Sequence, residues 1–198
     1  MEQHTIIDET DMVDLLRPKT PLERAFLEDP SFQEGLNWGT PRYGHPEGAV
    51  YKHIIEVCSN IDAMAIDTEM RSKLRIIAFV HDTFKYCEHK GTPRDWTKHH
   101  AIFAKNFLEK YTDDKTLLKV VEFHDEAYYC WRLHYIYHNP DGSESRLNAL
   151  LRVLGNDLQL YYLFFKCDTL TGDKNLAPLR WFEANIPNIE ITKVEGKQ

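Results

Sequence analysis

The chain has no two cysteines at CxxC spacing; Cys58, Cys87, Cys130 and Cys167 are scattered along it. Such spacing excludes a disulfide framework as the first expectation and suits reduced thiols in a cytoplasmic protein. No apolar run approaches the roughly 18 residues of a membrane span, and the first ten residues lack the basic and apolar regions of a signal peptide. Positive charge is also short: 24 Lys and Arg face 31 Asp and Glu, for a net charge of -7. A surface that wraps long nucleic acid would carry the opposite balance. Internal repeats, low-complexity segments and sustained strand-like alternation are missing, residues 189–194 being the one exception. What remains, at 198 residues, is enough for one domain with a sizeable core, expected to be all-α.

What is present is helical periodicity that ends in polar residues. Residues 74–85 begin with an apolar run and close on His81-Asp82-Thr83-Phe84-Lys85. Leu74, Ile77, Ala78 and His81 fall on one helical stripe, so the His-Asp pair is expected to point inward. A helix with Thr68 as N-cap carries it. Before it, Val50, Ile54, Val57, Ile61 and Ala65 form another stripe, with His53 on its edge. After it, residues 97–111 carry His100, Phe103, Ala104, Phe107, Leu108 and Tyr111 on one face, which leaves His99 off that face. A fourth helix runs on from 115 through Leu117, Val120, Val121, His124, Tyr128 and Trp131. Residues 139–142 read as a turn, 143–154 as a helix, and the segment from 158 ends an aromatic face on Asp168. Residues 31–48, rich in Gly and Pro, read as a long ordered loop, a feature often functional inside a compact domain. The expected organisation is an N-terminal extension and loop (1–43), a core (44–174), and a C-terminal packing segment and tail (175–198).

Each polar residue alone has an ordinary structural explanation. A helix-face histidine is usually a hydrogen-bonded core residue, and an Asp at a helix end usually a cap. A second His-Asp pair, His124-Asp125, shows that the dipeptide arises without special cause. Taken together, His53, His81, Asp82, His100, His124 and Asp168 come from five expected helices and aim at one core. Burying four imidazoles and two carboxylates there is strongly unfavourable without a shared ligand. One or two divalent ions, from among Mn, Fe, Co, Ni, Zn and Mg, remove that penalty.

The ordered pattern His53, His81-Asp82, His100, His124, Asp168 resembles the HD-domain superfamily of metal-dependent phosphohydrolases in its six-ligand form. The resemblance spans about residues 44–174. The His-Pro-Glu-Gly stretch at 45–48 is similar to the opening of the HD domain in some bacterial tRNA nucleotidyltransferases. It implies a helical bundle around a central metal site, with His53, His81, Asp82 and Asp168 holding one ion. Asp82 would bridge to a second ion held by His100 and His124. Two such ions can bind a phosphate oxygen and activate water, so the expected reaction is hydrolysis of a phosphate ester of a small, nucleotide-like substrate. Asp82 and Lys85 are the expected catalytic residues, since a lysine in the HD-x-x-Lys arrangement contacts phosphate in this superfamily. Lys85 also fits a solvated helix-end lysine, and Arg42, Arg94 and Lys98 are weaker phosphate candidates. Asp125 is open between a ligand-orienting or acid/base role and a plain surface carboxylate. The same ligand order is similar to that of the superfamily's di-iron oxygenases, and a regulatory binding module is the third reading. A homo-oligomer is compatible with all three.

Overall fold

A computed structural model of the chain describes residues 9–197. Residues 1–8 of the expected N-terminal extension lie outside the described residues. The fold is all-α: among the described residues the only β pairings are isolated bridges, Arg42 with His45 and Met64 with Val194. The strand-like alternation of 189–194 thus yields one bridge.

The helix most central to the packing is α5 (Thr68–Val80). Leu74, Ile77, Ala78, Phe79 and Val80 are completely buried, and their mostly aliphatic side chains pack against α4 (Val50–Asp62), α7 (Lys115–Phe123) and α10 (Leu158–Thr169). Asp67, rather than Thr68, caps it, its carboxylate accepting a hydrogen bond from the Met70 N–H. The stripe on α4 holds through Ile61, but the helix ends at Asp62 and Ala65 is exposed. In α10 every residue from Leu160 to Phe165 is buried, so this helix runs through the core rather than over it.

Three connections differ from the sequence-based expectation. The stretch read as a loop from residue 31 begins with a short helix, α3 (Pro30–Leu36). Asp29 caps it and Pro30 occupies its first turn, a start signal that the following glycines obscured. Ahead of it lie α1 (Glu9–Leu16) and α2 (Pro21–Leu27), the latter capped by Thr20. Residues 139–142 are not a turn but the capped start of α9 (Pro140–Leu154), with Asn139 accepting from the Gly142 N–H. The C-terminal segment includes α11 (Ala177–Asn185), whose Phe182 is fully buried in the core cluster that also takes Phe26 of α2 and Phe32 of α3.

The third difference bears on function. The expected long helix through His124 breaks there into α7 and α8 (Glu126–Tyr135). The break resets the helical phase, which is why Tyr128 is exposed and Trp131 only half-buried instead of continuing the core stripe. Tyr161 of α10 holds the break: its hydroxyl donates to the His124 carbonyl at 3.3 Å and accepts from the Ala127 N–H at 2.9 Å. The helix preceding α7 is also shorter than expected. Residues Trp96–Lys98 form a 3-10 turn, and α6 (His100–Leu108) starts only at His100. On the opposite side, α3 approaches the end of α5 so closely that a Cβ on Gly35 would lie 1.9 Å from the Thr83 carbonyl oxygen.

Tyr161→Phe leaves a buried N–H and a buried carbonyl without this partner. The expected loss is about 1–3 kcal/mol in urea denaturation. A change below about 0.5 kcal/mol would show that the hydroxyl does not hold the α7–α8 break.

Candidate metal centre

The helix ends just described place four imidazoles around one carboxylate. His81 lies immediately after the last residue of α5, and His124 immediately after the last residue of α7. Their rings are fixed alike. His81 Nδ1 donates to the Ala78 carbonyl at 2.9 Å and His124 Nδ1 to the Val121 carbonyl at 2.8 Å, each three residues back. Because a carbonyl only accepts, Nδ1 carries the hydrogen in both, and Nε2 is the atom left to face inward. Phe164 of α10 packs edge-on against both rings, at 5.0 Å from His81 and 6.3 Å from His124.

The other two histidines use carboxylates instead. His53, on α4, has Nδ1 3.3 Å from Glu47 Oε1, and His100, at the start of α6, has Nδ1 3.5 Å from Glu88 Oε2. These are close charge contacts without hydrogen-bond alignment. His53 and His100 pull the carboxyls of Glu47 and Glu88 down to about 2, against the upward push of burial.

Asp82 sits between the two pairs and gives one oxygen to each. Its Oδ2 is 3.5 Å from His81 Nε2 and 3.7 Å from His53 Nε2. Its Oδ1 is 3.3 Å from His100 Nε2 and 3.7 Å from His124 Nε2. Within the pairs, the Nε2 atoms are 3.3 Å apart for His53 and His81 and 3.2 Å for His100 and His124. Asp168, at the end of α10, adds its Oδ1 at 2.9 Å from His53 Nε2 and 3.7 Å from His81 Nε2. All six sequence-based candidates therefore meet, and two overlapping groups, His53–His81–Asp82 and Asp82–His100–His124, are arranged so that each could hold a metal ion.

The donor chemistry fits such an ion. Burial alone would raise the Asp82 and Asp168 carboxyls, but Lys85 and His81 hold the first, and Lys174 and His53 the second, well below the usual range. Burial would likewise lower His81, yet Asp82 and Asp168 keep it up at about 9. The negative field that retains a proton on a buried imidazole also favours a divalent cation.

Lys85 donates a short hydrogen bond to Asp82 Oδ2 and lines a cavity of about 590 Å³ above the centre. Lys174 lines the same cavity, hydrogen-bonded to Asp168 Oδ1 at 2.9 Å. Tyr43, Gly44 and His45 of the glycine-rich loop form part of the wall, and Tyr128, Trp131 and Arg132 another. Of the weaker candidates, Arg94 bonds Glu88 instead of facing the cavity, while Arg42 and Lys98 are exposed.

Sequence reasoning missed Glu47, Glu88, Lys174 and His99. The first three lie on loops, where periodicity gives no signal. His99 is an outright correction: it was placed off the inward face, but it is buried. It is the N-cap of α6, with extended backbone; its Nδ1 accepts from the Ala101 N–H and its Nε2 donates to the Tyr129 hydroxyl at 3.0 Å. Burial and neighbouring His100 push it down to about 3, so it stays neutral.

His99→Ala removes a cap and a buried hydrogen bond, for an expected loss of about 1–3 kcal/mol in thermal or urea denaturation. His134→Ala, at a half-buried position on α8, should change stability by no more than about 0.5 kcal/mol. Equal effects of the two would return His99 to the role the sequence suggested.

Comparison with protein-family models, with curated proteins and with solved structures finds no match for this chain, so the geometry of this centre carries the functional reading.

Proposed function

We propose that the protein is a metal-dependent phosphohydrolase of HD type, acting on a small phosphate ester such as a nucleotide. The observation that carries this reading is the placement of Asp82. One buried carboxylate directs its two oxygens at two imidazole pairs, on the floor of a cavity that also holds two lysines. His53, His81, Asp82 and Asp168 would hold one first-row divalent ion, and Asp82, His100 and His124 a second. Such ions supply Lewis acidity toward a phosphoryl oxygen and lower the pKa of water.

The chain's own residues do the rest. Nδ1 bonds to Ala78 and Val121 keep the His81 and His124 rings from turning, and Glu47 and Glu88 restrain His53 and His100. Lys85 and Lys174 bring positive charge to the place where an anionic ester must sit. A cavity of about 590 Å³ suits a small substrate, and Tyr128 and Trp131, stacked at 6.2 Å, offer an aromatic face beside it.

Two experiments bear on the proposal. Protein purified without added metal is expected to contain at least one first-row divalent ion per chain by elemental analysis. His81→Ala and Asp82→Ala should each empty at least one site; full metal content in both would sink the assignment. In a phosphate-release screen over nucleotides with Mn, Co or Mg, Lys85→Ala should lower kcat/KM by roughly 10- to 100-fold, equivalent to one charge-assisted contact. Unchanged kinetics would return Lys85 to a helix-end role. Oxygen consumption by iron-loaded protein, with no phosphate released, would move the reading to the oxygenases.

A further inference from the structure

Asp125 follows His124 as Asp82 follows His81, and it occupies the N-cap position of α8. Aspartate is favoured there because its carboxylate accepts from the first free N–H groups of the helix. This one makes no such bond. Its Oδ2 instead lies 3.4 Å from His100 Nε2 and 3.7 Å from His124 Nε2. The contacts of Asp168 Oδ1 with the other pair, 2.9 and 3.7 Å, have the same form. Neighbouring ligand atoms held about 2.1 Å from one ion stand roughly 3.0–3.5 Å apart at tetrahedral or octahedral angles, close to the spacing on both sides.

We infer that Asp125 is a ligand of the second ion, which gives the two centres matched donor sets. Each then has two imidazole Nε2 atoms, one Asp82 oxygen and one terminal carboxylate, Asp168 at the first and Asp125 at the second. The inference rests on the two-ion reading proposed above and adds a seventh protein ligand to it. Two groups keep Asp125 where it is. Tyr161 holds the α7–α8 break, and His99 Nε2 approaches Oδ2 at 3.6 Å. The charge count favours it as well. Three carboxylates against two divalent ions leave one net positive charge, before Lys85 and Lys174 are added, so the site still attracts an anionic phosphate.

The test is a Mn²⁺ titration of full-length protein stripped with chelator, read by bound metal and by the electron paramagnetic resonance of a coupled Mn pair. Wild type is expected to take two equivalents and show the coupled signal. Asp125→Asn, which keeps the shape of the side chain, and Asp125→Ala should keep the first equivalent, bind the second at least about 10-fold more weakly, and show an uncoupled signal. Asp168→Asn should weaken the other equivalent. Two equivalents at wild-type affinity in both Asp125 variants would overturn the inference, even if their activity fell, since that pattern belongs to an acid/base role. Loss of the second ion only in variants whose metal-free melting temperature has also dropped would overturn it too. Wild-type protein that binds fewer than two Mn²⁺ would remove both this inference and the two-ion reading. Two ions with no phosphate released would remove only the hydrolase.

Discussion

The constraint on which the structure depends is a carboxylate at the bottom of an apolar core. Asp82 follows a helix whose last residues are fully buried, and it is itself only 5 % exposed. A lone charge in that position would be prohibitively desolvated. The surrounding chain is arranged to answer it, with Lys85 on one oxygen and two imidazole pairs on either side. The position of Asp82 is in turn set by packing: α5 is surrounded by α4, α7 and α10, and Gly35 lets α3 press against Thr83. Any side chain at residue 35 would push on the backbone one residue from Asp82.

The two sides of the centre are built by the same local device. A helix ends, its last carbonyls accept the Nδ1–H of the next histidine, and an aspartate follows. The device needs no long loop and no strained backbone; both His81 and His124 keep right-handed helical angles. Each ring thus inherits the rigidity of a packed helix, and Phe164 braces both from below. Sites carried on such elements hold their geometry better than sites carried on loops. The loop-borne groups, Glu47 and Glu88, act one step out, where a few tenths of an ångström matter less.

How much of this was legible in the sequence follows from where each residue sits. Leu74, Ile77, Ala78 and His81 lie on an uninterrupted helix, so their period gave the inward face correctly. His53, His100, His124 and Asp168 follow the same logic. His99 was misread because the helix was started three residues early: with Trp96–Lys98 in a 3-10 turn, His99 becomes an extended cap and its ring turns into the core. Tyr128 was misread for the complementary reason, a break at His124 that apolar periodicity does not reveal. The signal for that break was present in the second His-Asp pair, whose likeness to the first has structural content. Glu47, Glu88 and Lys174 reach the centre only through tertiary folding.

The break between α7 and α8 also explains the character of the cavity. Had the helix continued, Tyr128 and Trp131 would have joined the core and the centre would have been sealed by apolar side chains. Turning the chain at Asp125 swings them to the rim, where they stand with Arg132 beside an opening that reaches Asp82 and Asp168. The same turn releases the Asp125 carboxylate from capping duty and aims it at His100 and His124. One interruption of helical phase therefore does two things: it opens a route to the buried centre and delivers a polar group to it. Tyr161, buried and bonded to both sides of the interruption, is what makes that turn a fixed part of the fold.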